Sequence, residues 1–273
     1  MASLENALTV RSGRVRYARR LATRAFRAKT GEFLAEGPQA VREALELPGT
    51  VTEVFATAEA GERHADVGEL AHRGGVTWSV VGDDVVAEVA DAVTPQGLVA
   101  VCRDVVAGLD ALPRQLRLVL LCHEIRDPGN VGAVIRCADA AGADAVILTG
   151  DSVDPQNPKA VRASAGSLFH LPVVVHGAHG GALAALQERD VQVLATTGSA
   201  DVDLFDASLD LARPTAWLMG NEAHGLPPEV LEASDRAVAV PILGRAESLN
   251  LATAAAVCLY ASAKALASTS GGT

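Results

Sequence analysis

Aromatic residues are scarce in this 273-residue chain: they make up 3%, against 49% hydrophobic residues overall. Its cores must therefore be built from Ala, Val and Leu, a composition that suits helices packed on a largely parallel sheet. The four cysteines, Cys102, Cys122, Cys137 and Cys258, have no CxxC spacing and read as small buried hydrophobes in a reducing compartment. His176 and His179 lack an HExxH frame and a nearby third ligand, so no metal site is expected. Dinucleotide, P-loop and hydrolase readings lack their GxGxxG, GxxxxGK[ST] and GxSxG fingerprints. No apolar run approaches the length needed to span a bilayer, and the first thirty residues are basic where a signal peptide would be apolar. The expectation is a soluble cytoplasmic protein with no membrane partner.

Positive charge is also in short supply. The net charge of −10 argues at first against nucleic acid. Its distribution reverses the argument. Residues 1–30 carry eight cations (Arg11, Arg14, Arg16, Arg19, Arg20, Arg24, Arg27 and Lys29) against Glu5 alone, a net of +7 that leaves −17 for the rest. A basic arm on an acidic body is an electrostatic footprint for a polyanion. The competing reading is a solvated helix whose arginines only keep it soluble.

What is present is alternation. A helix over 14–29 leads to strand 32–36, a helix to about Leu47, strand 51–57, a helix near 61–73, strand 76–81, a short helix and strand 97–103. Residues 107–115, AGLDALPRQ, form the expected linker. A second series follows: strand 116–122, a turn at Asp127-Pro128-Gly129, a helix over about 130–141, strand 143–149, a helix near 157–167 and strand 171–175. Strand 191–197, TAWLM (215–219), RAVAV (236–240) and a final helix over 249–267 complete it. Six nearly continuous apolar strands between helices imply a parallel sheet covered on both faces. The final helix is apolar nearly all round and is expected to be buried. The fold class is α/β in two domains, 1–108 and 109–273.

Two polar strand-to-helix loops stand out, LMGNEAHGLPPEV (218–230) and VPILGRAESLNLATAAAV (240–257). Loops at strand C-terminal ends are where open α/β sheets bind ligands. In the first, Gly220 would let backbone approach a ligand, Gly225 would take a positive φ, and Glu222 would pair with Arg136 or orient a hydroxyl. In the second, Ser248 and Asn250 are each a helix cap or part of an anion site. Upstream, in RDPGNVGAVIRCADAAG (126–142), Asn130 sits at a helix start. Arg136 has the small residues Gly132, Ala133 and Ala140 at i−4, i−3 and i+4, which leaves room for a planar or phosphate-bearing group.

Together NVGAVIRCADAAG (130–142), LMGNEAHGL (218–226) and VPILGRAESLNLATAAAV (240–257) resemble the SpoU (TrmH-like) family of RNA ribose 2′-O-methyltransferases. FLAEGPQAVREAL (33–45) and TPQGLVAV (94–101) resemble its L30e-like substrate-binding domain. The resemblance implies a trefoil-knotted C-terminal domain, S-adenosylmethionine as cofactor and a homodimer formed through that domain. It implies a reaction site of Asn130, Arg136, Glu222, Ser248 and Asn250. It implies cofactor contacts at Thr197, Gly198, Leu218, Gly220, Val240, Ile242 and Leu249, largely through backbone. KAVRASAGSLF (159–169) resembles a segment near the site. Lys159 and Arg162, an i, i+3 pair, are expected on RNA phosphates with Arg14, Arg16, Arg19 and Arg20. The expected substrate is structured RNA, rRNA in preference to tRNA. The alternatives are a tRNA 2′-O-methyltransferase, a non-catalytic RNA-binding dimer and, more distantly, a nucleotide-dependent oxidoreductase.

Overall fold

The computed structural model describes residues 8–270; Glu5 of the basic arm and residues 271–273 of the tail lie outside the described residues. The chain forms two units, one of residues up to Val105 together with Asp154–His170, the other of Val106–Val153 with the residues from Leu171 onward.

In the first unit, the basic arm makes two helices, α1 (Gly13–Arg20) and α2 (Arg24–Thr30), where sequence periodicity suggested one. The reason lies in Leu21 and Arg27. Leu21 is fully buried, and the carbonyls of Leu21 and Ala22 left open by the break accept hydrogen bonds from Arg27 Nη1, both at 2.9 Å. Helix ends need such partners for their last carbonyls. Strand β1 (Glu32–Glu36), α3 (Pro38–Glu46), β2 (Val51–Thr57), α4 (Ala58–Arg63), α5 (Ala65–Arg73), β3 (Thr77–Val81), α6 (Asp83–Val89) and β4 (Leu98–Arg103) follow. The sheet order is β1-β4-β2-β3, antiparallel except for β2 with β3.

The second unit holds β5 (Leu118–His123), α7 (Pro128–Ala140) and β6 (Ala145–Thr149). Between β6 and β7 (Val173–His176) the chain enters the first unit, where α8 (Pro158–Ser164) packs on β1. The expected single boundary at 108/109 is therefore replaced by a three-way crossing. The expected linker is corrected as well: Ala107 bridges Val174 and Leu112 is core, both within the second unit. After β7 come α9 (His179–Gln187), β8 (Gln192–Thr196), β9 (Thr215–Met219), α10 (Pro228–Glu232), β10 (Arg236–Val238) and α11 (Leu251–Ser270).

All six strands are parallel, in the order β10-β8-β9-β5-β6-β7. From β5 the chain runs outward to β6 and β7, then returns on the other side through β8 and β9. The order thus reverses between β5 and β9, and ligands of open α/β sheets bind at the strand ends beside such a switch. One core joins Val119, Leu121, Ile147, Val193 and Leu218 to Leu183 and Leu186 of α9. On α11, Ala255, Cys258, Leu259, Ser262 and Leu266 are buried, and the helix packs on α7, β5 and β9. Ser262 Oγ accepts the Trp217 indole N–H at 3.0 Å. Full burial of α11 is not found: Thr253, Tyr260 and Lys264 are exposed. Over Leu251–Thr269 the helix is also long and apolar enough to cross a membrane, with mean hydropathy 1.4, contrary to the sequence reading that no run approached that length. Its packing on α7 and the sheet explains the apolar face.

Candidate active site

The site begins with how α7 starts. Its N-cap is Asp127, with Pro128 at the first helical position, and Asp127 Oδ1 accepts the Asn130 backbone N–H at 2.9 Å. Proline is pre-set for that position because it lacks the amide hydrogen that would go unpaired there. Asn130 is thus not the cap, and its side chain is left for other partners. The sequence reading took Asp127-Pro128-Gly129 for a turn and began the helix at about Asn130; the Asp-Pro pair is the signal that could have found the earlier start.

The loop after β9 is a tight ring. Asn221 and Gly225 exchange both backbone hydrogen bonds, at 3.0 and 2.8 Å. A Cβ on Gly220 would lie 2.5 Å from the Gly225 carbonyl carbon, so glycine is required there by the loop's own closure and not by a ligand's approach. Gly225 has φ +67°, the left-handed conformation expected of it.

Three motif side chains meet at the mouth of this ring. Asn130 Nδ2 donates to Glu222 Oε1 at 2.8 Å, and Asn250 Nδ2 donates to Asn130 Oδ1 at 3.3 Å. A carboxylate only accepts, which fixes the orientation of the Asn130 amide. Asn250 is itself held by α11, since its Oδ1 accepts the Ala252 N–H at 2.9 Å. Glu222, Asn130, Asn221, Ala223 and His224 border an open cleft of about 470 Å³ with Glu124, Arg126 and Asp127. Under the cleft, burial and then the charge of Glu222 push the Cys122 thiol up, so it is no nucleophile.

Arg136 and Ser248 do not join the cluster. Six residues beyond Asn130 on a helix is about 9 Å along the axis and about 240° around it. Arg136 accordingly sits on the exposed side of α7, while Val131, Val134, Ile135 and Ala138 face inward. The expected Glu222–Arg136 pair is absent among the described residues; Asn130 takes that place. Ser248 is exposed, with no hydrogen bond to Asn130 or Glu222 among the described residues.

The residues expected at the cofactor divide. Thr197 and Gly198 follow β8, with open space where a Gly198 Cβ would be. Val240 is half-buried after β10, and Ile242 and Leu249 are each 36% exposed in the stretch before α11. Leu218 is different: its side chain is core and its carbonyl already accepts from Thr196 Oγ1 at 3.1 Å, so it offers no side-chain contact. Exposed backbone beside uncovered Ile242 and Leu249 fits a ligand with a flat apolar ring and polar edges.

The basic arm is largely engaged within its own unit. Arg14 is bonded to Glu53 and to Ser79 Oγ at 2.8 Å, and Arg19 is paired with Glu88. The Arg20 guanidinium stacks over the Phe26 ring at 3.9 Å. Arg27 is buried against Asp154 at 2.7 Å. Arg162 reaches Glu36 at 3.3 Å and Asp91 at 3.1 Å, where phosphate contact was expected. Arg16 and Lys159 are exposed. Also in the first unit, a wider groove of about 880 Å³ runs past Trp78, Gly61 and Gly68. None of the motif residues lines it, whereas Asn130 and Glu222 line the smaller cleft.

Comparison with known proteins settles the lineage. Residues 117–260 match the SpoU rRNA Methylase family, and residues 13–100 match the MRM3-like substrate binding domain. The chain belongs to the SpoU rRNA methylase family. It is 35% identical over 246 residues to the 23S rRNA (guanosine(2553)-2′-O)-methyltransferase RlmP of Bacillus subtilis, covering 89% of this chain and 92% of that one. It is 33% identical to the 23S rRNA (uridine(2479)-2′-O)-methyltransferase of Streptomyces viridochromogenes, over 88% and 85% of the two chains. The solved SpoU methyltransferase AviRb from Streptomyces viridochromogenes, in complex with the cofactor AdoMet, superposes with a TM-score of 0.82 at 31% identity, covering 93% of this chain and 98% of that one. The SpoU family assignment carries an RNA 2′-O-methyltransferase activity with S-adenosylmethionine as cofactor.

Proposed function

We propose that the chain transfers a methyl group from S-adenosylmethionine to a ribose 2′-hydroxyl of 23S rRNA, with Asn130, Glu222 and Asn250 at the reacting oxygen. The observation that carries the site assignment is the Asn130–Glu222 hydrogen bond at 2.8 Å beside the sheet's switch point. When bound, the cofactor would supply an electrophilic methyl on a sulfonium to the ribose oxygen, with the carbon–sulfur electron pair staying on sulfur and the hydroxyl proton passing by way of Glu222 to water. Thr197, Gly198, Gly220, Val240, Ile242 and Leu249 would hold the cofactor, chiefly through backbone groups. Glu222 keeps acceptor capacity beyond its bond to Asn130, enough to receive the hydroxyl proton's hydrogen bond. Asn130 and Asn250 fix that carboxylate in place, and alignment of this kind removes much of the entropy cost of the step.

A guanidinium carries donors and no acceptor, so the part of Arg136 is to stabilise the developing alkoxide and the neighbouring phosphate, not to act as a base. Within one chain it points away from the cluster, so this charge would come from a second copy. A homodimer through the C-terminal unit is therefore part of the reading, supported by the exposed side of α11 with Tyr260 at 54% exposure. A knotted C-terminal unit and a cytoplasmic setting belong to it as well. The first is supported by the likeness to solved SpoU methyltransferase structures, the second by four free thiols. RNA contact falls to exposed cations such as Arg16, Arg24 and Lys159.

Tritium transfer from labelled S-adenosylmethionine tests the reading. Label is expected in 23S rRNA as a 2′-O-methyl nucleotide. Transfer to tRNA alone would move the substrate, and RNA binding with no transfer would favour the non-catalytic dimer.

A further inference from the structure

Asn221 is a residue to which the sequence motifs assigned no role, yet both ends of its side chain and its backbone are hydrogen-bonded beside the cleft. Its Oδ1 accepts the backbone N–H of Ala223 at 2.9 Å and of His224 at 3.3 Å. Its Nδ2 donates to the carbonyl of Glu124 at 2.7 Å, across 97 residues of sequence. Its backbone closes the ring with Gly225. Side-chain amides that use donor and acceptor together define a loop's geometry from both ends.

The far end of that tether is unusual too. Glu124 has φ 53°, a left-handed conformation that residues with a side chain rarely adopt. It lies in the connection from β5 to α7. Three residues later Asp127 caps α7 through the Asn130 N–H, and Asn130 in turn donates to Glu222, the neighbour of Asn221. The bonds form a closed circuit: Asn221 to Glu124, along the chain to Asp127, to Asn130, to Glu222, and back to Asn221. Two loops from separate strands are thereby held in one register.

We propose that Asn221 is the positioning residue of the reaction site, whose amide locks the β9 loop onto the β5–α7 connection so that Glu222 meets Asn130. It acts through Glu222 and touches no reacting atom. The inference rests on the reading of Glu222 as a reaction-site group.

Asn221→Asp tests it, because aspartate keeps the acceptor for Ala223 and His224 but loses the donor to Glu124. Turnover should fall about 10- to 100-fold, the effect of a small misplacement of reacting groups. The RNA KM should stay within about twofold, as expected when only transition-state alignment is lost. In the variant's crystal structure the Asn130–Glu222 bond should be open. A double-mutant cycle with Glu222→Gln separates positioning from general stability. Asn221→Asp should slow the Glu222→Gln enzyme no further than about threefold, since the group it positions is already gone. Penalties that multiply would overturn the proposal. So would full turnover in Asn221→Asp while Glu222→Gln is crippled. Full turnover in Glu222→Gln would remove Glu222 from the site, and the tether's catalytic role with it. If the aspartate variant does not fold, Asn221→Ser enters the same cycle with the same expectations.

Discussion

The basic arm and the strand-end loops are both conspicuously polar, and the structure treats them in opposite ways. In the first unit, Arg14, Arg19, Arg27 and Arg162 are paired with Glu53, Glu88, Asp154, Glu36 and Asp91. In the second, Asn130 bonds both Glu222 and Asn250, with Glu222 and Asn250 exposed and Asn130 half-buried beside a cleft. The difference shows that charge density in sequence does not by itself mark a ligand surface. A guanidinium near the body of its own unit finds a carboxylate there. A small amide–carboxylate cluster with lone pairs still open is the better sign of chemistry.

Four measurements would break or sharpen that contrast. Arg27→Ala should destabilise the protein by about 3 kcal/mol or more, because it strands Asp154 and the carbonyls of Leu21 and Ala22. Urea unfolding reads this, and an unchanged midpoint would return Arg27 to the pool of RNA-binding cations. Asn130→Ala should lower kcat by about 100-fold with folding intact, as the loss of one preorganised donor does elsewhere. If Arg136→Ala kept full turnover while Asn130→Ala lost it, the charge role of Arg136 would be wrong. Arg16→Ala should reduce the salt dependence of RNA binding by about one unit of log–log slope, whereas Arg14→Ala should leave it unchanged. Equal losses of slope would erase the distinction between paired and exposed arginines.

The smallest effect concerns pH. His123 closes β5, with its Nδ1 at 3.1 Å from Thr149 Oγ1 and its ring edge-on to His179. Burial holds its pKa below the ordinary histidine value, partly opposed by Glu124. The folded state thus binds this proton less readily than the unfolded one. The stability contribution is complete above the unfolded histidine pKa and is lost as pH falls toward the folded value. Melting temperature should therefore drop as pH falls below about 6.5, and His123→Gln should flatten that slope. A slope identical in the variant would place the titration elsewhere.

Much of this was legible beforehand. Strands β2 and β9 occur at the residues expected, because a run such as VTEVFAT or TAWLM carries its own β-propensity and burial pattern. The helix break at Leu21–Thr23 was hidden, since only Arg27 and its partner Asp154, far along the chain, make it favourable. Asn221 was hidden as well: beside Glu222 it reads as ordinary loop polarity until Glu124 is seen against it.

By itself the sequence determined the element types, the parallel sheet and the family motifs, because hydrophobic periodicity and turn chemistry act over a few residues. Tertiary structure alone decided which polar groups meet. Asn130 finds Glu222 across 92 residues and Asn250 across 120, while Arg136, six positions away on the same helix, points elsewhere. The helical rotation that separates Asn130 from Arg136 was present in the sequence, but the direction of the cleft was not. That direction is set where β5 and β9 become neighbours, and only the packed sheet makes them so.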